Sequence, residues 1–110
     1  MDKKRELLYK LAPELNNRLG PIAIWEFTAS FMSDGWWLAR VDYILEGQLP
    51  AKHMKGLLID GYYSGDKCII SSTRIMNPRV FLERRSIAIL RAGIIQLTIE
   101  APPIDEERTA

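Results

Sequence analysis

The chain contains one cysteine and one histidine, and this scarcity excludes more chemistry than its other features suggest. Cys68 alone cannot close a disulfide within the chain, which suits a reducing compartment, and a cytoplasmic protein is expected. Adding His53 brings the soft ligands to two, too few for any Cys/His zinc site, so neither metal nor cofactor is expected. Long apolar runs are missing as well. Leu57-Leu58-Ile59 and Ile87-Ala88-Ile89-Leu90 fall far short of the roughly 20 residues needed to cross a bilayer. No membrane partner is expected, and the charged start Met1-Asp2-Lys3-Lys4-Arg5-Glu6 leads into amphipathic spacing instead of the apolar stretch of an export signal. There are no internal repeats and no glycine-rich phosphate loop. Gly61-Tyr62-Tyr63-Ser64-Gly65-Asp66-Lys67 has one residue too few between its glycines and carries Asp66 where the lysine belongs, so it reads as a hairpin turn.

What remains is ordinary globular material. The 110 residues are 47% hydrophobic and 26% charged, enough for one core and too short for two. Residues 1–103 read as a single domain and residues 104–110 as an acidic, disordered tail. The net charge of +1 hides an uneven distribution. Residues 1–46 carry 6 basic and 7 acidic side chains, residues 47–93 carry 8 and 3, and residues 94–110 carry 1 and 4.

The hydrophobic period identifies the elements. Leu7, Leu8, Leu11, Leu15 and Leu19 recur at helical spacing behind Asp2 as cap, with Pro13 expected to kink or restart the helix and Gly20-Pro21 to stop it. From Trp25 the period becomes two. Two strands joined by Ser33-Asp34-Gly35 form a hairpin whose parity places Phe31 opposite Trp37, Ala29 opposite Ala39, Phe27 opposite Val41 and Trp25 opposite Tyr43. A second hairpin is predicted from Leu57–Tyr63 and Lys67–Ile75 around Ser64-Gly65-Asp66. Arg79 to Leu90 reads as a strand interrupted by a bulge or bend near Arg84-Arg85-Ser86, and Ala92-Gly93 connects it to Ile94–Glu100. The result is an α+β domain, an N-terminal helix packed on a strongly curved antiparallel sheet or partly closed barrel of about six strands.

Four groups of residues could carry function. Glu26 falls opposite Asp42 at a Cβ separation of roughly 4.5 to 5.5 Å, close enough for a shared proton and an acid/base enzyme. Arg40 nearby offers a plainer account, a solvated surface charge network. Arg74, Arg79, Arg84, Arg85 and Arg91 are the one cluster able to face a polyanion, as in a nucleic-acid-binding module. Against that, the isoelectric point is only about 7.9, and Arg85 falls opposite Glu100 if Ala92-Gly93 is a two-residue loop. A structural charge ladder is the preferred account. His53 reads as an exposed loop residue and Cys68, flanked by Ile69 and Ile70, as a buried inert thiol.

The fourth group is aromatic. Trp25, Phe27, Phe31, Trp37 and Tyr43 share a face that is either plain core beneath the helix or the lining of a pocket for a small apolar or cationic ligand. Trp36 has the opposite parity and joins Leu38 and Ile44 on a second apolar face, the surface a homo-oligomer would bury. The leading expectation is a non-enzymatic binding or interaction protein, most simply a homodimer, with the apolar ligand pocket as a candidate feature. A nucleic-acid module ranks second and an acid/base enzyme third. One prediction follows from the missing ligands: elemental analysis of the purified protein finds no stoichiometric zinc.

Overall fold

A computed structural model describes residues 2–48, 53–78 and 85–100. The expected irregularity at 84–86 falls mainly outside these residues, as does the expected acidic tail.

Helix α1 (Lys3–Leu19) begins where the Asp2 carboxylate accepts the Arg5 N–H at 2.7 Å, satisfying one orphan donor of the first turn. It ends at Gly20, whose φ of +82° turns the chain while its N–H donates to the Asn16 carbonyl. The helix runs through Pro13 without a break, where the sequence predicts a kink or restart. A helix-interior proline costs about 3 kcal/mol. Burial of Leu7, Leu11, Ala12 and Leu15, each leucine contributing roughly 1.5–3 kcal/mol, outweighs it.

The strands are β1 (Ile22–Phe31), β2 (Trp36–Leu45), β3 (Lys55–Ser64), β4 (Lys67–Met76), β5 (Arg85–Arg91) and β6 (Ile94–Glu100). They form one antiparallel sheet in the order β4-β3-β2-β1-β5-β6. The sheet is open, with β4 and β6 as its edges, and its curvature is only partial, so the closed-barrel alternative is not realised. In the first hairpin Met32 N–H donates to the Trp36 carbonyl, Gly35 adopts φ +92°, and the expected pairs Phe31–Trp37, Ala29–Ala39 and Phe27–Val41 are all present. The second hairpin turns in two residues, Gly65-Asp66, and its strands reach further than the sequence pattern indicates. The third also turns in two, with Ala92 and Gly93 both at positive φ as a type I′ turn requires.

One pairing differs from expectation. The register shifts between Ile24 and Glu26, so Ile24 and not Trp25 lies opposite Tyr43. Trp25 is the extra residue of a β-bulge, and one inserted residue reverses the parity of everything before it. Trp25 therefore leaves the aromatic face and packs with Ala23, Ile44, Met54 and Ile87 on the other side of the sheet.

The main core lies between α1 and one face of the sheet. Leu7, Leu11 and Leu15 meet Ile22, Ile24, Phe27, Trp37, Val41, Tyr43, Ile59 and Leu90 there. Helix side chains also hold two turns: Lys10 Nζ donates to the Asp66 carbonyl at 2.7 Å, and the Asn16 amide oxygen accepts from Ala92 and Gly93 N–H at 3.0 and 2.9 Å. Trp37 fits because its β3 partner is Gly61. A Cβ at Gly61 would run into the Ile69 carbonyl oxygen and stand 2.6 Å from Trp37 Cζ2. Gly61→Ala is thus expected to destabilise the fold by about 2–3 kcal/mol, read as a lower denaturation midpoint with an unchanged urea slope.

Candidate functional site

The carboxylate pair forms where the sequence places it. Glu26 and Asp42 are register partners across β1 and β2. Asp42, however, is 1% exposed, so the pair is no solvated surface network. The bulge brings Trp25 in beside it, and the cluster of Trp25, Ile44 and Met54 shields this end of the sheet. The expected arginine is present. Arg40 Nη2 lies 3.3 Å from Asp42 Oδ1 and also donates to the Asn77 carbonyl. Gly56, the β3 partner of Asp42, leaves the space for this contact: its absent Cβ would stand 3.2 Å from Arg40 Nη2. A buried carboxylate held by a guanidinium that is itself anchored to backbone is a structural arrangement, and losing either partner strands a buried charge.

Of the five arginines, Arg74 and Arg91 lie far apart. Arg74 projects from edge strand β4, whereas Arg91 lies at the end of β5, across three intervening strands, where it pairs with Glu46. Arg85 stands in register with Glu100, as the two-residue Ala92-Gly93 loop requires. Arg79 and Arg84 lie outside the described residues.

Most of the aromatic face is core. Phe27, Trp37 and Tyr43 are buried against the helix leucines, and Phe31 packs at their margin. Phe31 also lines an open cleft of about 330 Å³ with Met32, Trp36, Tyr63, Lys3 and Glu6, the Lys3 ammonium lying 5.8 Å from the Phe31 ring centre. Trp25 and Phe27 border a second cleft of about 310 Å³ beside the first turn of α1.

The reverse face of β2, β3 and β4 has a different character. Helix α1 lies on the other side, and the second cluster reaches only Ile44 on β2. Ile44, grouped by its parity with Trp36 and Leu38, is therefore buried beneath Trp25 and Met54. Trp36 remains 39% exposed and packs against Tyr62 with ring centres 4.9 Å apart and the ring planes tilted by 49°. Tyr62 is in turn the register partner of Ile69, so Trp36, Tyr62 and Ile69 form a row across three adjacent strands. Leu38 and Leu58 lie beside it, half-buried, and line two shallow grooves of about 380 and 270 Å³ with Asp60, Arg74, Arg40 and Met76.

Ile69, Leu58 and Asp60 are not singled out by the sequence, and Tyr62, which it offers with Tyr63 as a further pocket-lining aromatic, stands on the reverse face beside Trp36 instead. Their parity was readable once Gly65-Asp66 is taken as a two-residue turn, but the register of β2 against β3 follows a long connector and leaves no local mark.

Comparison with protein-family models, curated proteins and solved structures finds no match to this chain. Among the described residues no group of three or more His, Cys, Asp or Glu is placed to hold a metal ion, and no helix is long and apolar enough to cross a membrane.

His53 is exposed in the connector. Cys68 faces the core opposite Tyr63, and burial pushes its thiol up to about 11 although Lys10 pulls the other way. The thiol is therefore protonated at neutral pH. Because the folded value is raised, its contribution to stability is complete below the unfolded value near 9 and declines as pH rises towards 11. Two outcomes are expected: alkylation of native protein at pH 7.5 at least about tenfold slower than that of a free cysteine, and a loss of stability between pH 9 and 11 that Cys68→Ala reduces.

Proposed function

We propose that this protein is a non-enzymatic interaction module that works as a homo-oligomer, most simply a two-fold dimer, through the open face of its sheet. The observation that carries this reading is the row of exposed Trp36 and half-buried Tyr62 and Ile69, continued by half-buried Leu38 and Leu58, on a face that no described element covers. Two large aromatic rings on the solvent side of a small domain are costly to leave uncovered, and aromatic side chains are the commonest anchors of protein interfaces. Covering the exposed part of Trp36 in each protomer contributes on the order of a few kcal/mol per dimer before association costs.

The other side of the sheet supports no comparable reading. Helix leucines already fill the space a ligand would take against Trp37 and Tyr43. The carboxylates that an acid/base enzyme would use include one that is buried and paired with Arg40.

Sedimentation equilibrium over roughly micromolar to millimolar protein tests the proposal. The unmodified protein is expected to self-associate, and Trp36→Glu to shift it towards monomer while leaving the far-ultraviolet circular dichroism unchanged. A monomer throughout that range would overturn the reading.

A further inference from the structure

We infer that the partner is a second copy of the chain related by a two-fold axis running along the Trp36–Tyr62–Ile69 row, with Lys67 of each copy meeting Asp60 of the other. This inference rests on the self-association proposed above and specifies its geometry. The three row residues are register partners on β2, β3 and β4, so they stand in line across the strands, about 4.8 Å apart. Strand parity puts the residues two positions away on the same face. On one side of the row these are Leu38, Asp60 and Ser72, themselves in register, with the Ser72 hydroxyl donating to Asp60 Oδ1. On the other side are Ser64 and Lys67, also register partners.

The row thus has an acid on one flank and a lysine on the other. A two-fold axis along it lets each row residue meet its own counterpart and exchanges the flanks. Lys67 of one copy then stands over Ser72 and its bonded neighbour Asp60 of the other, twice per dimer. Among the described residues Lys67 has no ion pair that this would break.

Charge also argues against the alternatives. An axis along β3 would set Asp60 on Asp60 and, one strand to either side, Arg74 on Arg40, because Arg40 and Arg74 both flank Leu58 in register. Like charges facing across an interface disfavour that packing. Pairing edge to edge through β4 is blunted by Ser71, the extra residue where the register shifts between Asp60 and Gly61, and by Lys67 and Arg74 on that strand.

Charge reversal on the full chain tests the axis. Asp60→Lys and Lys67→Asp singly are expected to raise the dimer dissociation constant about tenfold or more at low salt, since each creates two like-charge contacts. The double reversal is expected to return it to within about threefold of the unmodified protein. Circular dichroism and thermal unfolding of each variant separate lost association from lost fold. Dimers that tolerate both single reversals yet dissociate with Trp36→Glu would overturn the axis and leave self-association standing. Single reversals that weaken the dimer without rescue in the double variant would also overturn it. An unmodified protein that stays monomeric removes both proposals.

Discussion

A helix can cover only one face of a sheet, and the described residues hold one long helix for six strands of an open sheet. Leu7, Leu11 and Leu15 lie across the sheet and bury Trp37, Val41, Ile59 and Leu90 almost completely. The same helix holds the outer hairpins through Lys10 and Asn16, so the leucine stripe and its polar margins together set how the turns sit. Everything on the reverse face has to find other cover or remain in solvent.

The bulge at Trp25 divides that reverse face. By moving Trp25 out of the aromatic side it supplies a second small core with Ala23, Ile44, Met54 and Ile87. Beside this core Asp42 is buried and held by Arg40. A buried pair of this kind contributes little net stability but makes every arrangement that separates its members expensive. Both members stand on β2, and Arg40 ties that strand to the chain beyond β4 through the Asn77 carbonyl. The remaining half of the face, from Trp36 to Ile69, receives no such cover from described residues.

The uncovered half is patterned, not merely apolar. Asp60 and Lys67 flank the row on opposite sides, and Arg40 and Arg74 flank Leu58 on neighbouring strands. Such placement makes one way of stacking two copies favourable and another repulsive, and specificity between packings of similar area depends on that difference.

The architecture was legible because local signals agreed. The leucine spacing, Asp2 as cap, the alternation from Phe27 to Phe31 and from Trp37 to Val41, and glycine at the turns each demand the element that forms, and hairpin parity then assigns Trp36 and Trp37 to opposite faces. Glu26 and Asp42 became partners for the same reason. Trp25 was misplaced because Ile24 and Trp25 are both apolar, and consecutive apolar residues carry no parity that would reveal an inserted position. The burial of Asp42 and the separation of Arg74 from Arg91 depend on the order β4-β3-β2-β1-β5-β6, in which β5 crosses to the far side of β1. Local chemistry sets each strand's period and each turn. Which strands become neighbours, and hence which side chains share a surface, is decided only when distant segments compete for the same sheet edges.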